Sequence, residues 1–407
     1  MKKKAILTSI IVIAAFIGAS AQATNIDTSK AETLRLDLKS ASGISVSKIF
    51  DEVKFIPLET IAQSLFGEIS QLEVAKDCYI ISDQDTRSIL IFNLNGSFRT
   101  RIKLEKPVVQ AFPIEFKLIE NSKNPYLQVL NGSYQITYDL NGKLIKKVDA
   151  KSVDDGKTTF YFLAESITVK SNYEVNNNYY EIALLKDGIV IGSYFPHEKD
   201  YTRHDQYMSS GANLTSSSFQ NVFYKRPYDY GIYRITPNGM SLDYKLIFPS
   251  EYSVPNDFLS NKEFVNKRID FLQKNRKVFY GLKNVYKSGS NLFFSGASLD
   301  LSKSHKRDFI FNLKTRNLIS IQDIEPDILS SYLPITNLTL NPDFAFHGFH
   351  LYKNDYLYNS IPSIDMMALK TQSPNKDFQY NDVLTTYFKT QNKKSNPVLV
   401  VLKPKKD

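Results

Sequence analysis

The sequence predicts an all-β fold, a β-propeller of four-stranded antiparallel blades, on three observations. A strand–turn–strand unit recurs at one interval: "FNLNGSFRTRI" (92–102), "YDLNGKLIKKV" (138–148) and "LLKDGIVIGSY" (184–194) stand forty-six residues apart. Further strand-like runs precede each unit, "EISQLEVA" (68–75) and "CYIISD" (78–83) before the first, "IEFKLIE" (114–120) and "YLQVLNG" (126–132) before the second. Four strands per forty-odd residues is the period of a propeller blade. The 407-residue chain also carries 25 Tyr and 27 Phe but no Trp, and aromatic and β-branched side chains suit a pleated, half-buried surface.

The chain opens "MKKKAILTSIIVIAAFIGASAQATN". Lys2, Lys3 and Lys4 precede an apolar run, and small residues satisfy the A-x-A cleavage pattern at Ala19/Ala21 and at Ala21/Ala23. Residues 1–23 therefore read as a secretory signal peptide, cut after Ala21 or Ala23. No cysteine follows the run to accept a lipid, and no second stretch approaches the roughly 20 apolar residues of a membrane helix. The mature protein is expected to be exported, to the periplasm, the cell surface or the medium, with no transmembrane anchor. Residues 24–44 read as a linker to a propeller domain over 45–407.

The formal charge of +9 falls to +6 once the three leader lysines are removed. The remaining basic residues are scattered, and the densest run, "KPKKD", is the C-terminal tail. A nucleic-acid partner would require a basic stripe and is not expected. Cys78, the lone cysteine, lies in an apolar strand-like run and reads as a buried free thiol, so stability has to come from a hydrophobic core.

In each repeat the turn glycine is the fixed point: Gly96, Gly142 and Gly188. Asn-Gly and Asp-Gly are favoured there because the tight hairpin turn demands positive φ. Phe92, Leu94, Phe98 and Ile102 share one parity while Arg99 and Arg101 hold the other, the alternation of half-buried strands. A fourth copy, "YRITPNGMSLDYKL" (233–246), follows with some slip, and a fifth, "FNLKTRNLISI" (311–321), has lost the glycine. A solenoid of hairpins would share this repeat, but four antiparallel strands per unit favour a closed ring.

Two insertions break the rhythm. Residues 195–215 form a polar stretch, and 255–275 carry helix signals: Pro255 at the start, early acids, and Phe264, Val265, Ile269 and Leu272 near one face. A third segment, 361–395, is polar with mixed helix signals.

Three stretches carry a family likeness: "EVKFIPLET" (52–60), "FQNVFYKRPYDYGIYRI" (219–235) and "NPVLVVLK" (396–403). With the hairpin repeats they resemble the secreted six-bladed β-propeller proteins of Bacteroidetes, relatives of the NHL-repeat propellers. The resemblance runs from about residue 45 to the end of the chain. It implies six blades, the last built from both termini so that no edge strand is left unpaired. The sixth blade would draw on 333–360 plus "VKFIPLE" and "PVLVVLK". No activity follows from the resemblance.

The familiar catalytic signatures are missing: no G-x-S-x-G, H-E-x-x-H, C-x-x-C or phosphate-cradling glycine loop occurs. There are five histidines, His197, His204, His305, His347 and His350. "HGFH" (347–350) with Asp343 is the one metal candidate. On a strand, positions three apart face opposite ways, so His347 and His350 would share an ion only across a bend at Gly348; no metal or cofactor is expected. "RHDQY" (203–207) offers Arg203, His204 and Asp205 as an acid/base set. "YKRPYDYGIY" (224–233) offers Tyr224, Arg226, Tyr228, Asp229 and Tyr230, residue types that combine rigid contact area with donors; a structural strand–turn–strand is the favoured reading there.

The composition points to an exported, monomeric, non-enzymatic binding or scaffold propeller. Through one rim it would recognise a glycan, a peptide or an envelope protein, with Tyr201, Arg203, Tyr207, Tyr228 and Tyr230 as contacts. The alternative is a lyase or hydrolase acting on a polysaccharide or small molecule at the pore mouth, which inward His, Asp or Glu from several blades would favour.

Overall fold

The computed structural model describes residues 23–407 apart from 106–113, 121–123, 132–133, 150–159, 165–166, 198–213, 219–220, 303, 338–343, 345–347, 374 and 376–377. The expected signal peptide lies outside the described residues except for Ala23. No helix among the described residues is long and apolar enough to cross a membrane.

Six small sheets form the ring. After β1 (Glu32–Arg35) and β2 (Phe50–Pro57), blade one is β3 (Gln71–Val74), β4 (Cys78–Asp83), β5 (Ser88–Asn93) and β6 (Phe98–Lys103). Blade two is β7 (Glu115–Ile119), β8 (Tyr126–Asn131), β9 (Tyr134–Asp139) and β10 (Leu144–Asp149). Blade three is β11 (Phe160–Ala164), β12 (Ile167–Val175), β13 (Asn178–Lys186) and β14 (Ile189–His197). Blade four is β15 (Leu214–Ser218), β16 (Asn221–Tyr224), β17 (Gly231–Thr236) and β18 (Gly239–Ile247). Blade five is β19 (Gly281–Ser288), β20 (Asn291–Ala297), β21 (Asp308–Asn312) and β22 (Leu318–Ser320). The last strands are β23 (Leu351–Lys353), β24 (Tyr356–Ile361) and β25 (Val398–Pro404).

Blade six closes the ring as the terminal motifs imply. Its strand order is β2-β25-β24-β23, with Val53 opposite Leu402 and Phe55 opposite Val400. β25 is thus not an edge: it is sandwiched between β24 and β2. "LYK" and "YLYNSI" supply its inner strands.

The turn glycines behave as the repeat demands. Gly96, Gly142 and Gly188 have φ of +87°, +83° and +80°, a region that costs an L side chain and costs glycine nothing. At Gly96 the Pro57 carbonyl also stands where a Cβ would be, so the first turn is locked against the closing strand.

The half-buried alternation holds at β3, the innermost strand of blade one, but not in the strands next to it. Every residue of β4 is buried, Ile91 and Phe92 are adjacent and both fully buried, while most of β10 is exposed. The middle strands β4 and β5 have a neighbouring blade on each side, so both of their faces are dry. Cys78 sits there as a free, buried thiol, and burial pushes its pKa up to about 11.

Residues 24–44, expected as a linker, form a belt on the propeller. The Thr24 amide donates to the Ser193 carbonyl of blade three, and Asp27 exchanges backbone bonds with Met240 and Leu242 of blade four. β1 then adds to β18 as a parallel fifth strand, Leu34 opposite Leu246, and Ser320 of blade five donates to the Ser42 carbonyl. Leu34, Leu36, Leu38 and Ala41 are buried in one cluster with Phe223, Ile232, Phe248 and Phe279. Alternate leucines at 34, 36 and 38 are the strand-period signature of such a seam.

Helical insertions are more extensive than the single short one expected. Helix Arg268–Lys274 lies within 255–275, and helices Ser363–Gln372 and Asp382–Thr390 lie within 361–395. Met366, Leu369, Leu384 and Tyr387 bury these last two against blade six.

Candidate functional site

Four antiparallel strands return the chain to the face it entered, so two kinds of connection share one face of the ring. These are the links between the second and third strands of each blade and the passages from one blade to the next. The remaining turns, on the opposite face and flank, are short, the longest being 120–125. The strand ends that flank the long segments 198–213, 248–280, 321–350 and 362–397 all lie on the first face.

Hydrogen bonds brace these connections to one another. Gln84 exchanges two bonds with the Ile114 backbone (2.9 and 3.3 Å), and Asn337 donates to Asp365 (3.0 Å). The Asn396 amide donates to the carbonyls of Glu59 (2.8 Å) and Ser64 (2.9 Å). Asn396 is buried, so each of those bonds is worth making and costly to lose.

The stretch "YKRPYDYGIY" is a junction of three blades. Arg226 grips Glu181 of blade three through two parallel bonds, Nε to Oε2 at 2.9 Å and Nη2 to Oε1 at 2.8 Å. The Tyr224 hydroxyl donates to the same carboxylate at 2.6 Å, and the guanidinium lies 4.0 Å from the Phe195 ring centre. Such a forked pair has a geometry lysine cannot copy. Asp229 accepts from the Tyr233 hydroxyl at 2.7 Å and stands 3.7 Å from Arg226. Lys225 is buried; burial, then the charge of Lys283 in blade five, draws its pKa down to about 7.

The two expected contacts in this stretch are used for packing. Tyr228 is buried at φ +60°, its ring edge-on to Phe258 of the 255–275 insertion at 5.1 Å. Tyr230 donates its hydroxyl proton to the Phe279 carbonyl (2.6 Å) and accepts from the Val254 amide (2.8 Å). They fix the insertion to blade four, with Leu272, Phe264 and Phe271 closing that cluster. Sequence alone did not separate a presented tyrosine from a bracing one.

Tyr201, Arg203, His204, Asp205 and Tyr207 lie outside the described residues, as do Asp343 and His347. His350 is described, with Nε2 2.8 Å from the Ser360 hydroxyl.

A cavity of about 230 Å³ opens where the belt, the blade-four-to-five passage and the blade-five connection meet. Leu38 and Lys39 come from the belt, Tyr252 and Lys277 from the passage, and Ser304, His305 and Lys306 from blade five.

A charged group at the axis was not anticipated. Glu73 on β3, Lys117 on β7 and Lys353 on β23 stand on the inner strands of blades one, two and six, with Glu120 just beyond β7. Lys353 Nζ lies 2.7 Å from Glu120 and 3.9 Å from Glu73. Burial pushes the Glu73 carboxyl up to about 6 and draws the Lys117 amine down to about 8. Lone charges spread over three repeats carry no motif; only the ring brings them together.

A family model described as a domain of unknown function (DUF4934) matches residues 24–403. The chain belongs to that family. The DUF4934 chain is similar in structure to a Bacteroides fragilis NCTC 9343 protein named as exported. That match has a TM-score of 0.63 and 15% identity, over 92% of this chain and 99% of the other. A member of the DUF4221 family from Bacteroides vulgatus aligns at a TM-score of 0.43 and 10% identity, over 87% of this chain and 98% of that one. No curated protein matches the sequence. The match to residues 24–403 takes in the belt together with the blades, in keeping with its burial in this DUF4934 propeller.

Proposed function

We propose that this DUF4934 propeller is exported and serves as a non-enzymatic binding module, recognising a glycan, peptide or envelope protein through the face that carries its long connections. One observation carries the reading: the strand ends that bound every long segment lie on one face, and hydrogen bonds tie neighbouring connections on that face to one another. Long surface segments on a rigid scaffold are where recognition concentrates, and a pre-braced platform loses little freedom on binding. The structural match to a protein named as exported supports the compartment.

Capture from an envelope extract tests it. The mature protein is compared with a variant carrying Tyr201→Ala, Arg203→Ala and Tyr207→Ala. A specific partner held by the first and lost by the second is expected; equal capture by both overturns the assignment of those contacts.

The axial charges favour a second reading, a lyase or hydrolase at the pore mouth. Near neutral pH Glu73 would take a proton and Lys117 would give one, each with a pKa close enough to make the transfer inexpensive. Release of new reducing or unsaturated ends from a polysaccharide panel, lost in Glu73→Gln, would establish it in place of binding.

A further inference from the structure

Resting on the recognition-face reading, we propose that the cavity beside the belt binds a single sugar ring carrying one carboxylate. The cavity has the size for it. At about 230 Å³ it has room for a single pyranose ring.

The walls divide into a flat apolar part and a cationic part. Tyr252 stacks on His305 with centroids 5.9 Å apart and planes 12° apart, and on Phe279 at 5.9 Å. Leu38 continues this wall. An aromatic surface of this kind suits the C–H face of a sugar, which is apolar. Lys39, Lys277 and Lys306 line the same cavity. Lys306 is held in place by the Ala41 carbonyl at 2.7 Å and Asp323 at 2.8 Å. Lys39 reaches Glu251 at 3.3 Å, and Lys277 acts on Asp300 through its charge.

These acids offset part of the lysine charge, so the site fits one carboxylate better than a polyanion. His305 is buried, with Nε2 3.1 Å from the Ser298 hydroxyl. Burial draws its pKa down to about 4, so it is a neutral hydrogen-bonding group in any ordinary medium. A bare anion would leave the aromatic wall uncovered, and a neutral sugar would leave Lys277, which has no ion pair among the described residues, without a direct counter-charge.

The test is isothermal titration of the full mature protein with D-glucuronate, D-glucose and sodium sulfate. Saturable glucuronate binding is expected, with glucose and sulfate each at least about tenfold weaker, the worth of one charge-assisted bond. Lys277→Glu should weaken glucuronate by a similar factor and leave the melting temperature unchanged, because Lys277 is exposed. Ser304→Trp, at an exposed position lining the cavity, should fill it and abolish binding. No saturable glucuronate binding, equal binding of glucose or sulfate, or full affinity in both variants would overturn the proposal. Partner capture that depends on Arg203 while glucuronate fails to bind would remove this inference and leave the recognition face standing. Glucuronate binding without that capture would do the reverse.

Discussion

Lys353 Nζ lies 2.7 Å from Glu120 Oε2, and this bond joins blade six to blade two across the inner edge of blade one. Non-adjacent blades touch only where the channel is narrow, so the pair marks a constriction, with Glu73 3.9 Å from the same ammonium. Glu73 has a folded pKa raised to about 6 from 4.5, chiefly by burial. A raised pKa means the folded state holds the proton more tightly. Its contribution is full below about pH 4.5 and is lost as pH rises to about 6. Glu73→Gln should remove that slope and stabilise the protein above pH 6. The gain is at most about 2 kcal/mol at 1.36 kcal/mol per pH unit, less for screening, because 27% of the side chain remains exposed. Urea midpoints at pH 4.5, 6 and 7.5 read it; parallel curves for both proteins would refute it.

Removing residues 396–407 deletes β25 from between β24 and β2. The cut opens blade six down the middle and leaves β2 with no strand to pair with. Loss of the single cooperative melt and a tendency to aggregate are expected. A truncated protein that melts like the full chain would show that β25 does not hold the ring shut.

The belt should behave as core. Leu34 is fully buried between blades four and five, so Leu34→Ala should cost about 2–5 kcal/mol, the range for a large-to-small change at a packed site. A chemical-denaturation midpoint that hardly moves would return residues 24–44 to the status of a linker.

Arg226→Lys keeps the charge and gives up the fork on Glu181. Because the Glu181 carboxylate is 6% exposed, a partner that cannot pair both oxygens leaves it poorly satisfied. A loss of about 2 kcal/mol is expected, and Arg226→Ala should cost about 3–5 kcal/mol. Glu181→Gln combined with Arg226→Ala should cost less than the sum of the single changes. Additive losses would mean the two residues do not act as a pair.

What the sequence carried was local and periodic. Asn-Gly and Asp-Gly dictate hairpin turns because glycine alone enters positive φ freely, and their forty-six-residue interval gave the blade. Cys78 read correctly as a buried thiol because its neighbours are apolar over a whole strand. The terminal motifs marked blade six through resemblance.

Tertiary structure decided everything that depends on who faces whom. Alternation in one strand cannot reveal that both faces of β4 are covered, because the second cover is another blade. Tyr228 and Tyr230, read as contacts in a stretch whose favoured reading is structural, pack against a segment about thirty residues further along the chain that no local pattern shows. Leu34, Leu36 and Leu38 carry a strand pattern in a stretch that reads as a linker, and only β18 gives that pattern an edge to join. Glu73, Lys117, Glu120 and Lys353 are unremarkable singly. Charge interacts through space, and ring closure is what sets residues 73 and 353 within ion-pair distance of each other.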